Sequence, residues 1–110
     1  MKSSLDVLSA YKNGRRLAIL GDMYELGDES EKAHYEVGKY AKDKVDTLIV
    51  IGGYIKNFKD GFDSDNIIMY NTKDECIKEL KNIVKLDDVV LIKASRGVKL
   101  EDVVKKLEEM

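Results

Sequence analysis

Hydrophobic residues along this chain form short continuous runs separated by segments with helical spacing. Four runs are nearly continuous and rich in β-branched residues, a pattern typical of strands covered on both faces of a sheet. They are RRLAILG (15–21), DTLIVIG (46–52), NIIMY (66–70) and DVVLIKA (88–94). The pattern therefore predicts four buried strands.

Five further segments repeat hydrophobic residues every three or four positions, as amphipathic helices do. Thr72 and Glu75 have the spacing of a capping box, which marks a helix start. Asn13-Gly14 and Gly61 mark helix ends. The predicted helices cover residues 3–12, 30–44, 54–60, 72–84 and 99–109.

Strict alternation of helices and strands predicts an α/β fold with a parallel sheet and helices on both faces. We expect a Rossmann-like, three-layer domain of about four strands in the order 3-2-1-4, with residues 1–110 forming a single domain. In that order the chain reverses direction across the sheet between strands 1 and 4. Ligands of such folds bind at the reversal, outside the carboxyl ends of the strands.

Composition narrows the function classes. The net charge is −2 and the basic residues are scattered, so there is no electrostatic footprint for nucleic acid. No hydrophobic run is long enough to span a bilayer, and the amino terminus lacks the continuous apolar core of a signal peptide. The single cysteine, Cys76, excludes an internal disulfide and suits a reducing, cytoplasmic location, where we expect it to pack as a small hydrophobic residue.

Two loops meet at the expected reversal, and they differ in charge. The loop after strand 4, SRGVK (95–99), places Ser95 and Arg96 before a helix start. A hydroxyl, a guanidinium and free N–H groups at a helix start suit a carboxylate or a phosphate. The alternative is that Ser95 caps the helix and Arg96 pairs with a nearby acid.

The loop after strand 1, GDMYELGDES (21–30), is acidic. Asp22 and Glu25 could face a cation such as an ammonium group. Alternatively, Asp22 caps a turn, Glu25 is solvated, and Met23 and Leu26 pack into the core. Together, the acidic loop and the arginine loop could grip a zwitterion with an amine at one end and a carboxylate at the other.

Other candidate chemistry is sparse. His34 is the single histidine, and a lone histidine is more often a packed or half-exposed helix residue than a catalytic base. With one histidine and one cysteine, no metal site built from protein ligands alone is expected. The sequence contains neither G-x-x-x-x-G-K-[ST] nor a G-x-G-x-x-G after the first strand, so it has no P-loop or dinucleotide fingerprint. Three arginines stand against sixteen lysines, and we expect Arg15 and Arg16, at a strand entrance, to be solvated.

Two motifs carry a family resemblance. GRRLAILGDMYELGDESEKAHYEVGKYA (14–41), followed by VVLIKASRGVKLEDVV (89–104), resembles the C-terminal domain of the MurF family of UDP-N-acetylmuramoyl-tripeptide:D-alanyl-D-alanine ligases. The combination of L-G-D-M-x-E-L-G, a downstream histidine and K-[GA]-S-R-x-x-x-x-E is specific. The resemblance covers essentially the whole chain, with one departure at Ala94, where the family usually has glycine.

The resemblance implies that this chain is one domain of a larger enzyme. The family's enzymes have a UDP-sugar domain, a central ATPase domain with the P-loop and magnesium ligands, and this domain, which closes onto the central one. ATP phosphorylates the tripeptide carboxylate of UDP-N-acetylmuramoyl-tripeptide, and the amine of D-Ala-D-Ala attacks the acyl phosphate, a step of peptidoglycan synthesis. ATP and Mg would bind mainly to the central domain, so this chain alone is expected to be inactive.

By matching motifs, the resemblance implies substrate-binding roles. Ser95 and Arg96 would meet the dipeptide carboxylate or the phosphate region, and Asp22 and Glu25 would lie near the closing interface. Lys93 and His34 are further candidates.

Two other function classes stay open at this point. A small metal-dependent phosphoesterase could use the Gly-Asp after strand 1 as a metal ligand, although one histidine and few clustered acids make a poor two-metal site. A non-catalytic interaction domain would need no small ligand.

Overall fold

A computed structural model of the chain shows a four-stranded parallel sheet between two layers of helices. It describes residues 2–11, 14–21, 30–85, 88–93 and 101–109. The strands are β1 (Arg16–Gly21), β2 (Thr47–Ile51), β3 (Ile67–Tyr70) and β4 (Val89–Lys93). The helices are α1 (Lys2–Ser9), α2 (Ser30–Ala41), α3 (Ile55–Phe62), α4 (Lys73–Ile83) and α5 (Glu101–Glu109).

The strand order is β3-β2-β1-β4, with every neighbouring pair parallel. The predicted order and fold class are therefore confirmed. β1 pairs with β2 on one side and with β4 on the other. The chain therefore adds β2 and β3 on one side of β1 and then crosses to the other side to form β4.

The alternation of side chains along the strands divides the core into two parts. On one face, Ala18 and Leu20 of β1 pack with α1, α2 and α3. On the other face, Ile19 of the same strand packs with α4 and α5 through Cys76, Leu80 and Val103. Burying the two faces of one strand under two helix layers explains why the β1 sequence is a continuous hydrophobic run.

The outer strands differ from the prediction of strands buried on both faces. In β4, Val89 to Ile92 are only half-buried, and in β3 the side chain of Met69 is 40% exposed. Among the described strands, β3 and β4 are the two outermost, and each pairs with a single neighbour. The run of hydrophobic residues does not distinguish an edge strand from a central one.

Helix α3 also differs from the prediction, which ended it at Gly61. Gly61 lies inside the helix, which ends at a left-handed Asp63 (φ 47°). The two helices α2 and α3 cross at Gly38 and Gly61: a Cβ on Gly61 would collide with the Tyr35 carbonyl oxygen and one on Gly38 with that of Phe58. These glycines permit the two helices to cross closely. The prediction that Gly61 ends the helix is therefore wrong.

The capping prediction for α4 is confirmed, because the Thr72 hydroxyl accepts a hydrogen bond from the Glu75 N–H at 3.3 Å. The other helices begin or end up to three residues away from their predicted bounds, with α1 ending at Ser9 and α2 at Ala41. None of the described helices is long and apolar enough to cross a membrane.

Candidate functional site

The site predicted from the sequence is at the carboxyl edge of the sheet, where β1 and β4 end side by side. The two strands are parallel, and Leu20 is the register partner of Lys93. The segments 22–29 and 94–100 therefore leave the sheet from neighbouring strand ends at the same edge. Four of the proposed site residues, Asp22, Glu25, Ser95 and Arg96, lie outside the described residues, and their roles stay predictions.

Lys93 is the last residue of β4 and is exposed. Its position at the strand end places its Cα beside β1 at the edge where the acidic segment starts. A lysine there adds a positive charge to this edge of the sheet, and its substrate-binding role stays a prediction.

His34 lies in the first half of α2 and is fully buried. Its ring stacks on Tyr54 with centroids 4.0 Å apart and meets the Phe58 ring edge-on at 5.0 Å. Nδ1 is 2.5 Å from the carbonyl oxygen of Ser30. A carbonyl can only accept a hydrogen bond, so Nδ1 carries the proton. The packed interpretation of this histidine agrees with its environment, while a direct contact with substrate stays a prediction.

The loop after β2 also ends at this edge, and the sequence analysis did not include it in the site. Gly52 has a positive φ of 121° and donates a backbone hydrogen bond to the Tyr70 carbonyl at 3.1 Å. Tyr54 follows and precedes the first residue of α3. The signal in the sequence is the pair Gly52-Gly53 directly after a strand, which is typical of a turn at the carboxyl edge of a parallel sheet.

Comparison with known proteins shows the family to which the chain belongs. The family model for the Mur ligase, glutamate ligase domain matches residues 1–96. The chain belongs to the Mur ligase family, as its C-terminal domain. The resemblance seen in the sequence motifs is thereby confirmed.

Individual relatives agree with this assignment. The chain is 34% identical, over 99% of its length, to the UDP-N-acetylmuramoyl-tripeptide–D-alanyl-D-alanine ligase of Bacillus subtilis. The structure of the Thermotoga maritima MurF ligase in complex with ADP covers 98% of the chain at a TM-score of 0.80 and 32% identity. A MurF structure from Acinetobacter baumannii covers 100% of the chain at a TM-score of 0.88 and 23% identity, which supports the fold.

This Mur ligase domain spans about a quarter of the length of the curated relatives that it matches. It also accounts for 25% of the solved chains from Thermotoga and Acinetobacter. A complete ligase of this family is therefore about four times as long as the chain.

Among the described residues of the domain, no group of three or more histidine, cysteine, aspartate or glutamate side chains is placed to hold a metal ion. The sequence also contains no P-loop.

The opposite, amino edge of the sheet corrects the expectation that Arg15 and Arg16 are solvated. Arg15 Nη2 is 2.7 Å from Asp88 Oδ2 and also donates to the Ile83 carbonyl oxygen. Arg16 pairs with Asp46, which accepts from both the Arg16 side chain and its backbone N–H. The two arginines fix the start of β1 to the starts of β4 and β2.

These ion pairs change the acidity of both carboxyl groups. The side-chain hydrogen bond from Arg16 is the main cause that lowers the pKa of Asp46. Burial by itself would raise the pKa of Asp88, but hydrogen bonds from Arg15 and from the Lys85 N–H outweigh it, and the pKa is lowered. Both carboxylates are therefore held in their charged form, as a structural clamp requires.

Proposed function

We propose that this chain is the substrate-closing domain of an ATP-dependent ligase that joins D-Ala-D-Ala to UDP-N-acetylmuramoyl-tripeptide in peptidoglycan synthesis. The observation that carries the proposal is the side-by-side ending of β1 and β4, with Leu20 and Lys93 in register. It brings the attachment points of the acidic and the arginine-bearing segments to one edge. The reaction would be cytoplasmic and would serve cell shape and division through the cell wall.

The names of the relatives support the proposed substrates, and their lengths support a reaction shared between this domain and other domains of the same polypeptide. The Bacillus protein is named for the tripeptide and the dipeptide, and the Thermotoga structure is described as a complex with ADP. Since this chain corresponds to about a quarter of such a ligase, ATP and Mg would bind mainly to a central ATPase domain of the same polypeptide. That domain would be the chain's principal partner.

The chain's own contribution would be to hold the incoming dipeptide. Asp22 and Glu25 would face the ammonium group, and Ser95 and Arg96 the carboxylate, so that the amine is presented to the activated tripeptide. Charge-assisted hydrogen bonds of this kind are about twice as strong as neutral ones, and a bidentate arginine also fixes the orientation of the carboxylate. Lys93 would add positive charge to the same rim.

The proposal is tested by steady-state kinetics of the complete ligase carrying Arg96→Ala. We expect turnover with D-Ala-D-Ala to fall by about 100-fold, because positioning of the reacting groups is lost, while the melting temperature is unchanged. Arg16→Ala is the matched control, since Arg16 lies at the opposite edge, where it pairs with Asp46. Its cost should appear in stability and not in the KM for the dipeptide.

Normal kinetics for both ATP and D-Ala-D-Ala in the Arg96→Ala enzyme would contradict the proposal. A second test uses the 110-residue chain alone, which should release no phosphate from ATP in the presence of both other substrates. Turnover by the chain alone would mean that it contains a complete active site, which is incompatible with a substrate-closing role.

A further inference from the structure

The environment of His34 connects the beginning of α2 to the loop after β2, and both lie at the carboxyl edge of the sheet. Its ring is fully buried and lies nearly parallel to Tyr54, with an angle of 11° between the rings. Tyr54 belongs to the loop that follows β2, whereas His34 belongs to α2. The stack therefore joins the beginning of α2 to the loop after β2.

The hydrogen bond of His34 adds something that packing alone would not require. Nδ1 donates to the carbonyl oxygen of Ser30, the first residue of α2, which is itself 8% exposed. Burying a polar ring costs free energy unless the ring is hydrogen-bonded. A phenylalanine could fill the same place in an aromatic stack without that cost. The hydrogen bond to the first residue of α2 is therefore a contribution of the imidazole that a phenylalanine could not make.

Ser30 is also the first residue of the element that follows β1 along the chain. On the β1 side, Gly21 is paired in the sheet with Ile51 of β2. On the α2 side, Ser30 is held by His34, whose ring is held in turn by Tyr54 and Phe58. The two ends of the acidic connection are therefore both anchored at the carboxyl edge.

We propose that His34 is a positioning residue, whose hydrogen bond to Ser30 fixes the first turn of α2 at the edge that receives the dipeptide. The inference rests on the proposed ligase function for its substrate. It assigns His34 no contact with substrate: the imidazole acts through the helix start, and its loss should weaken use of the dipeptide more than use of ATP.

Two substitutions separate the hydrogen bond from the packing, and both are made in the complete ligase. His34→Asn keeps a donor near the position of Nδ1 but removes the ring. His34→Phe keeps the stack on Tyr54 but removes the donor, and His34→Met is a second variant without the donor whose flexible side chain adapts to irregular space. The KM for D-Ala-D-Ala, the KM for ATP and kcat are measured for each, together with the melting temperature.

For variants without the donor we expect the KM for D-Ala-D-Ala to rise about tenfold, because the receiving edge is misplaced. The KM for ATP should stay within about twofold, and His34→Asn should rescue most of the dipeptide KM. If His34 serves packing alone, the order reverses: His34→Phe behaves as wild type and His34→Asn is the damaged enzyme. That reversed order, or equal rises in both KM values, would overturn the proposal.

Hydrogen exchange of the same proteins separates this inference from the proposed function. The α2 amides of residues 34–37 should exchange faster in His34→Phe and His34→Met than in His34→Asn. Equal exchange in all three variants would show that the hydrogen bond does not hold the helix start, and would overturn the inference whatever the kinetics. A wild-type ligase that cannot use D-Ala-D-Ala would instead refute the proposed function and, with it, the substrate assigned to His34.

Discussion

Arg15 and Asp88 form a two-point contact that joins the start of β1 to the start of β4, with Nε–Oδ1 and Nη2–Oδ2 distances of 3.3 and 2.7 Å. The Asp88 side chain is only 6% exposed. The pair sets the relative position of the two strands at the edge opposite the candidate site. It thereby helps to hold Leu20 and Lys93 in register at the edge where the two proposed loops begin.

Removing the planar fork of Arg15 should destabilise the domain. Arg15→Lys keeps the charge but cannot make both contacts with Asp88 together with the bond to the Ile83 carbonyl. We expect the free energy of unfolding to fall by about 1–3 kcal/mol, the usual cost of a lost hydrogen bond to a charged group. Urea unfolding measures the change.

The matched control for this experiment is Lys42→Gln. Lys42 pairs with Asp63 at 3.8 Å, and both side chains are largely exposed. Such surface pairs contribute little, so the free energy of unfolding should change by less than about 0.5 kcal/mol. Equal effects of the two substitutions would show that the Arg15 contact has no special role.

Stability should fall in acid because of Asp46 and Asp88. Their pKa values are lowered in the folded state, so each contributes stability above the pKa of the unfolded chain, near about 4, and loses it as the pH falls through the lower folded value. In Asp88→Asn, the deficit relative to wild type should be largest at neutral pH and shrink below about pH 4. Unfolding free energies measured from pH 7 to pH 2 test the sign, and a deficit that grows in acid would contradict it.

The crossing of α2 and α3 predicts an unusual response to alanine. Gly→Ala in an exposed helix normally stabilises by about 1 kcal/mol. At Gly61 the new Cβ would lie 2.8 Å from the Lys39 backbone nitrogen and would collide with the Tyr35 carbonyl oxygen, both of them backbone atoms that cannot rotate away. We therefore expect Gly61→Ala to destabilise the domain by about 1–3 kcal/mol, measured by thermal unfolding.

Lys59→Ala, on the exposed side of the same helix, is the control for the crossing. It increases helix propensity without approaching α2, so its melting temperature should be close to that of wild type. A Gly61→Ala protein as stable as Lys59→Ala would show that the helices can separate at little cost.

Cys76 should be unreactive while the domain is folded. Its side chain is fully buried between α4 and the sheet, and burial raises the pKa of the thiol to about 11. Because the thiolate is the reactive form, labelling by iodoacetamide at pH 7 should be slower than that of the urea-unfolded chain by at least about 100-fold. Labelling at the rate of the unfolded chain would place Cys76 outside the core.

Much of the fold could be predicted because its signals are local. The β-branched runs locate the strands, the Thr72–Glu75 spacing locates the start of α4, and the alternation of elements leads to the order confirmed by the sheet. The roles of Gly61 and Arg15 could not be predicted, because each depends on a partner distant in sequence. Gly61 faces Tyr35 across a helix crossing, and Arg15 meets Asp88, 73 residues away.

The sequence predicts at which edge of the sheet the candidate site should lie, but it does not predict the contacts of the individual side chains there. Parallel order alone brings the ends of β1 and β4 together, and Lys93 is the last residue of β4 at that edge. A packed His34 was among the expectations, but its stacking partner Tyr54 could not be predicted, because no local pattern indicates that α2 and the loop after β2 meet at an aromatic stack. The roles of Asp22, Glu25, Ser95 and Arg96 stay predictions.

The central claim is that one edge of the sheet grips both charged ends of D-Ala-D-Ala, and inhibition by blocked dipeptides tests it most directly. N-acetyl-D-Ala-D-Ala lacks the ammonium group and D-Ala-D-Ala amide lacks the carboxylate, and inhibition constants of both are measured in wild-type and Arg96→Ala ligases. We predict that Arg96→Ala weakens binding of the acetylated dipeptide about tenfold or more, because a hydrogen bond to a charged group contributes about 1.5–3 kcal/mol. Binding of the amide should be unaffected, since the amide has no carboxylate for Arg96 to bind. Equal weakening of both compounds, or of neither, would contradict the claim.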